Sequence, residues 1–374
     1  MFATLAGAYP RTPLPGHPFH LRVAYGQLER GEIDEPDYRA VADELVQEVI
    51  AEQEEAGLEL LSDGQVRWDD PITAIAGGLD GFERGGLIRY FDTNTYYRRP
   101  RVVREPRWVA PITVADWQFA SSCTDLPVKQ SIVGPYTLAR LADRGGISRE
   151  RLTMALADAL AQELQALADA GCPMIQIDED AATLISDGTE RKLYKAAHRR
   201  LTYRLRGVHL SLAVTLGSAH RAGPETLFDA PYRSYLFDLV SGPQNWQLVE
   251  EIPTDRGVIV GVSDARSAAP DNVEHLRWAG QYAAAMHLRG SDRVGIAPST
   301  SLEHLPRERA RAKIDLLGRT ATELSAAAAD GALVIDPLYL ANIGLVRGFF
   351  GPMPAEAVED ARRVLATSAS EVRR

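Results

Sequence analysis

Two periods of hydrophobic patterning alternate along the chain. Short, mostly apolar runs sit at 3–9, 58–61, 128–133, 174–178, 209–216, 234–240, 257–262 and 293–297. Between them, apolar residues recur every three or four positions, as on one face of a helix. The first such stretch follows Asp34, has Pro36 in its first turn, places Val41, Leu45 and Val49 on one face and stops at Gly57. Another is capped by Ser148 and carries Leu152, Leu156, Leu160, Leu164 and Leu167. Further helical patterns span 243–252, 271–288 and 307–324.

Strands that are apolar on both faces and separated by helices predict an α/β fold with a parallel sheet, here a closed (β/α)8 TIM barrel. An open doubly wound sheet competes with it, but no Gly-x-Gly-x-x-Gly turn follows the first strand. From Pro71 to Leu126 the alternation breaks into short aromatic and Arg-rich pieces, which predicts an inserted β-hairpin or lid segment after strand 2. The whole chain, 1–374, therefore reads as one barrel with an insertion at about 71–126 and a C-terminal extension at about 333–374. That extension holds one apolar segment, 338–350, followed by a polar helical pattern.

Composition narrows the function class. With 45% hydrophobic and 25% charged residues, the chain has the make-up of a water-soluble globular protein. A net charge of −10 argues against nucleic acid or an anionic membrane as partner and leaves a small molecule. No apolar run approaches membrane-span length and no signal-peptide pattern opens the chain, so a cytoplasmic location is expected. Cys123 and Cys172 are too few for a disulfide framework, and Cys172, at a helix-to-strand junction, is expected to be packed and inert.

In such barrels the chemistry sits where the strands end. The fourth run, Met174-Ile-Gln-Ile-Asp-Glu-Asp180, ends in acid, so Asp178 and Glu179 are the candidate catalytic carboxylates. The other ends offer Arg11, then Asp63, Gln65 and Arg67, then Thr215, Asp264 and Thr300 as substrate-binding candidates. An ammonium would suit Asp178 or Asp264, and a carboxylate or phosphate would suit Arg11 or Arg67. Acid after a strand also caps the next helix, so each position has an architectural reading beside the chemical one.

These segments resemble a known family. Phe2-Ala-Thr-Leu-Ala-Gly-Ala-Tyr-Pro-Arg11, Leu61-Ser-Asp-Gly-Gln-Val-Arg67, Val128-Lys-Gln-Ser-Ile-Val-Gly-Pro-Tyr-Thr137, Ile175-Gln-Ile-Asp-Glu179 and Gly261-Val-Ser-Asp-Ala-Arg-Ser267 are similar, in order, to motifs of the catalytic barrel of cobalamin-independent methionine synthase. The resemblance runs from Phe2 to about Leu324. It implies methyl transfer, with a reduced folate, 5-methyltetrahydrofolate, as candidate donor. It also implies aromatic contact to the pterin from the insertion, where Tyr96 and Tyr97 stand. Asp178 and Glu179 would bind or deprotonate substrate, and Gln65, Arg67 and Arg11 would orient it.

The departures concern the metal and the amino group. In that family zinc holds the acceptor thiolate on a His-x-Cys pair, a Glu and a distant Cys. Here Ala213 and Thr215 fall at the first pair, Thr300 at the distant Cys, and the Glu position falls near Val240. Hydroxyl and methyl groups do not replace imidazole or thiolate around zinc, so no metal ligand is expected. His209 stands at the wrong end of its strand, about 13 Å from the tip at roughly 3.3 Å per residue. Gln65 stands where the family has a Glu that helps bind the homocysteine ammonium, and Ala8 where it has Ser. The expected activity is one-carbon or alkyl transfer to or from a small amino-acid-like substrate without catalytic zinc. Two alternatives accompany it: a metal-independent lyase or decarboxylase of the wider uroporphyrinogen decarboxylase-like superfamily, and an inactive ligand-binding paralogue.

Overall fold

The computed structural model describes residues 1–13, 21–334 and 336–352. Seven parallel strands form a sheet in the order β1 (Phe2–Ala3), β9 (Val294–Pro298), β8 (Gly257–Ser263), β7 (Ser234–Asp238), β6 (His209–Val214), β5 (Met174–Asp178) and β4 (Gln130–Val133). The ring closes through the eighth segment, which is reduced to single parallel bridges, Thr4 with Leu60 and Leu61 with Val128. Leu61 N donates to Pro127 O at 2.9 Å, and Lys129 N donates to Leu61 O at 2.8 Å. The second predicted strand is thus too short for a ladder, because Gly64 and Gln65 both adopt positive φ and turn the chain out of the wall.

The wall separates two apolar clusters. A small one fills the inside, with Leu60, Met174, Ala213, Leu236, Ile259 and Ala297. The large one lies between the wall and the helices. Side chains alternate across a strand, so along β5 Met174, Gln176 and Asp178 face inward while Ile175 and Ile177 face the helical shell. That alternation decides which acids reach the mouth.

The helices follow from their caps. Glu35–Glu55 opens on a reciprocal cap in which Asp34 accepts from Asp37 N, and ends before Gly57, whose φ is +78°. Arg149–Asp169 opens on Ser148, which accepts from Arg151 N. Helices at Leu21–Glu29, Pro135–Leu141 and Gly188–Leu201 were not evident from periodicity. In the C-terminal extension, Pro337–Arg347 is helical, and the predicted polar helix after it lies outside the described residues.

The insertion is one antiparallel hairpin, β2 (Leu79–Arg89) with β3 (Tyr96–Trp108), between helices Pro71–Gly78 and Val114–Ser122. Its base is anchored by Glu163, whose buried carboxylate accepts from Trp108 Nε1, Ile112 N, Thr113 N and Thr113 Oγ1, each at 2.8 Å. Its tip is clasped to the mouth: Thr95 Oγ1 donates to Glu303 Oε1 at 3.1 Å, and Asp92 pairs with Arg266 at 3.0 Å. The hairpin is therefore a fixed roof in this conformation.

Candidate functional site

The strand ends and the hairpin tip enclose a cavity of about 340 Å³, lined by Gln65, Tyr90, Asp178, Asp180, Thr215 and Thr300 among others. Asp178 is partly exposed into it. Its Oδ1 accepts from Gln176 Nε2 at 2.7 Å, and that amide also donates to Ala6 O at 2.7 Å. No protein partner meets Oδ2 among the described residues. Burial and the nearby Asp180 charge push the Asp178 carboxyl well above the ordinary carboxylate range.

Asp180 is the second acid of the cavity. Oδ2 accepts from Tyr90 OH at 2.6 Å, and Oδ1 accepts from Thr215 N at 3.0 Å and Thr215 Oγ1 at 2.8 Å. Burial raises its pKa. Thr215 Oγ1 and Thr300 Oγ1 are 3.0 Å apart. Gln65, 6% exposed, lines the cavity with no partner for its side-chain amide among the described residues.

Several expected site residues are placed elsewhere. Glu179 is 0% exposed and faces the helical shell. It accepts from Tyr136 N at 3.0 Å, Thr137 N at 2.7 Å and Thr137 Oγ1 at 2.6 Å, and lies 3.1 Å from His198 Nε2. It caps Pro135–Leu141 and does not line the cavity. A side chain at Gly134 would collide with its carboxylate. Period-two alternation carries the correction: Asp178 ends β5 facing inward, Glu179 takes the other face, and Asp180 is returned to the cavity by the short 3-10 turn that begins there.

Arg67 leaves the mouth to lie between helices, bonded to Asp43, 3.7 Å from Asp116 and stacked on Phe119 at 4.8 Å. Arg11 donates to Trp68 O at 2.7 Å and lies outside the cavity, beside Asp69. Asp264 does not line the cavity; it accepts from Arg266 N at 2.9 Å and shapes that loop. Tyr97 is 3% exposed, its hydroxyl donating to Leu141 O, and Tyr96 is 56% exposed outside the cavity. The aromatic that enters is Tyr90. The Asp-Thr-Asn cluster signals a turn, but only the hairpin register tells which flanking tyrosine points to the barrel.

Asp63 is buried under the loop, with Oδ1 accepting from Gln65 N at 2.9 Å and Oδ2 unpartnered. Burial raises its pKa to about 6. A carboxyl raised in the fold favours folding below its unfolded pKa, and that contribution is lost as pH rises through about 6. Asp63→Asn, neutral throughout, is expected to raise the unfolding free energy measured by urea titration at pH 7.5 by on the order of 1 kcal/mol and to leave it unchanged near pH 4. A variant equally shifted at both pH values would contradict this.

The metal expected from the family does not fit these residues. Ala213, Thr215 and Thr300 supply no nitrogen or sulfur; the two threonine hydroxyls are bonded to each other, and that of Thr215 also to Asp180. Among the described residues no group of three or more His, Cys, Asp or Glu side chains could hold a metal ion. His209 bonds Ser234 Oγ at 2.8 Å at the opposite barrel end, and His220 bonds Ser218. Cys172 is 2% exposed, its thiol pushed up to about 12 by burial. No described helix is long and apolar enough to cross a membrane.

Known proteins resemble the chain in sequence and in fold. A methionine synthase of Sulfurisphaera tokodaii is 27% identical over 318 residues, covering 83% of this chain and 88% of that protein. A 5-methyltetrahydropteroyltriglutamate–homocysteine methyltransferase of Cronobacter sakazakii is 33% identical over 181 residues, 48% of this chain and 23% of that one. Among solved structures, a B12-independent methionine synthase from a Shewanella species, in complex with selenomethionine, superposes with a TM-score of 0.75 at 18% identity, covering 88% of this chain and 98% of that one. A putative vitamin-B12 independent methionine synthase from Listeria monocytogenes gives a TM-score of 0.68 at 18% identity, covering 86% and 97%. At such identity the two structures speak for the fold alone. Residues 1–208 match the family model described as the cobalamin-independent synthase catalytic domain, and the chain belongs to that family of methionine synthase-type methyltransferases.

Proposed function

We propose that the cavity binds a small amino acid by its ammonium group on Asp178 and that the chain methylates it from a reduced folate without catalytic zinc. The observation that carries this is Asp178 itself: pinned by Gln176 through Oδ1, with Oδ2 free of protein partners, inside a cavity of about 340 Å³ at the strand ends. A carboxylate so fixed suits an ammonium, and the free amide of Gln65 suits the polar remainder of the same molecule. The names of the relatives put homocysteine first among acceptors.

In the transfer, the bond from methyl to the donor nitrogen breaks as a bond from methyl to the acceptor heteroatom forms. The acceptor loses a proton and the donor nitrogen gains one. Asp180, with its proton affinity raised by burial and its carboxylate bonded to Tyr90 and Thr215, takes the acceptor proton. Tyr90, on the roof, lines the cavity and donates its hydroxyl to that acid. The whole chain acts as one barrel, with the hairpin as part of its site.

A decarboxylase acting on a large planar polyanion is disfavoured. Arg11 and Arg67 are engaged outside the cavity, the two arginines that line it are tied to the hairpin tip, Arg89 to Thr93 O and Arg266 to Asp92, and its floor is acidic. Incubation with 5-methyltetrahydrofolate, as mono- and triglutamate, and L-homocysteine tests the proposal, with methionine read by mass spectrometry. Methionine formation is expected. No product and no calorimetric binding of either compound would refute it. Dialysis against EDTA is expected to leave turnover unchanged, and elemental analysis to find well below one zinc per chain. Activity that vanishes on chelation and returns with zinc would overturn the metal-free reading.

A further inference from the structure

Lys129 is 2% exposed at the centre of the barrel, directly behind the acid floor. Its Nζ donates to Leu5 O at 2.5 Å and to Gln176 Oε1 at 2.7 Å, and no carboxylate touches it. The other end of the Gln176 amide spends both N–H groups, one on Ala6 O and one on Asp178 Oδ1. The amide therefore has a single orientation, set by the lysine: were Oε1 and Nε2 exchanged, Nε2 would face an ammonium and Oε1 would face a carboxylate. An interior lysine without a contacting counter-ion is costly, and burial lowers its pKa to about 7 while Asp178 opposes that shift.

We propose that Lys129 is a positioning residue that works through Gln176 to keep Asp178 ionised and to fix the net charge that the floor of the cavity presents to its substrate. The inference rests on the ammonium-binding role given to Asp178. The groups facing Asp178 are Lys129 and Gln176 from the barrel interior, Asp180 and Glu179 from the same turn, and Tyr90 from the roof through Asp180. Glu179 lies behind the wall on its own donors, Tyr136 N and Thr137, and adds to the rise of the Asp178 carboxyl. Asp70, Glu303, His304, Arg89 and the Arg266–Asp92 pair line the outer part of the cavity; on its floor, the protonated lysine balances one of the two carboxylates, Asp178 and Asp180, and leaves one negative charge. A single ammonium completes the balance, which selects an amine that carries one positive charge at its bound end over its deaminated analogue. Removing the lysine leaves two carboxylates uncompensated, so Asp178 takes up a proton and the amine loses its partner.

Calorimetric titration with L-methionine from pH 6 to 9 tests this on the wild-type chain, Lys129→Met, Gln176→Leu and Asp178→Asn. Far-ultraviolet circular dichroism establishes that each variant folds. Wild type is expected to bind across the upper part of the range, and Asp178→Asn to lose affinity at every pH. Lys129→Met is expected to bind roughly 10- to 100-fold more weakly at pH 7 and to recover toward wild type as pH rises toward 9, where the Asp178 carboxyl gives up its proton again. Gln176→Leu retains the lysine but cuts the bridge; it is expected to show the same upward displacement in smaller degree, and it carries the test alone should Lys129→Met not fold. Wild-type binding lost in Asp178→Asn but unaltered in Lys129→Met and Gln176→Leu would overturn this inference and spare the site. An equal loss at all pH values in the lysine variant would mark it as merely structural and also overturn it. No wild-type binding, or full binding by Asp178→Asn, would remove the ammonium site and this inference with it.

Discussion

Asp178→Asn is expected to lower kcat/KM for the amino acid by roughly 30- to 150-fold, about 2–3 kcal/mol, the scale of one charge-assisted hydrogen bond in a shielded site. The substitution keeps the shape and the Gln176 contact at Oδ1 but removes the negative charge. The loss should therefore appear chiefly in KM if the ammonium is held equally in ground and transition states. Wild-type affinity for amines should fall as pH drops through the raised pKa of Asp178, because protonation abolishes the charge; the variant should lack that limb. Steady-state rates at varied amino acid concentration and pH check both points. A variant with wild-type KM and an unchanged acid limb would show that Asp178 does not bind the ammonium.

The second large effect concerns stability. Glu179→Ala is expected to destabilise the chain by about 3–5 kcal/mol, among the larger losses for a single substitution. Two backbone N–H groups at the start of Pro135–Leu141 and the Thr137 hydroxyl would lose their acceptor, and His198 would lose its carboxylate neighbour. Each orphaned buried donor costs about 1–3 kcal/mol. Glu179→Gln, which keeps one carbonyl acceptor, should lose less. Urea unfolding followed by circular dichroism measures both, and saturating L-methionine should still bind whatever fraction of Glu179→Gln is folded. If Glu179→Ala unfolds like wild type but its turnover collapses, the acid is chemical after all and its architectural assignment fails.

The two neighbouring acids show where a linear reading stops. Their position at a strand end is legible, because an apolar run that breaks into Asp-Glu-Asp marks the C-terminal tip of a barrel strand. Their division of labour follows from the two-residue period of a strand, which is also in the sequence, but it becomes visible only once the strand is known to continue as far as Asp178. The arginines offered no such clue. Arg67 stands four residues after Asp63 in a loop, and whether its side chain reaches inward or slips between helices depends on Asp43, Asp116 and Phe119, residues distant in sequence. Tyr90 and Tyr97 likewise differ only by hairpin register.

What the sequence determined by itself is local chemistry and periodicity: the βα alternation, the caps at Asp34 and Ser148, the acid at the end of β5, and the threonines and alanine where zinc ligands would be needed. Tertiary structure alone decided which polar groups converge. It brought Tyr90 onto Asp180, set Thr215 against Thr300 and placed Lys129 behind Asp178. The physical reason is that propensity and pattern act over a few residues, whereas burial of a charge is settled by partners dozens of residues away. In this barrel those partners meet only after the ring has closed.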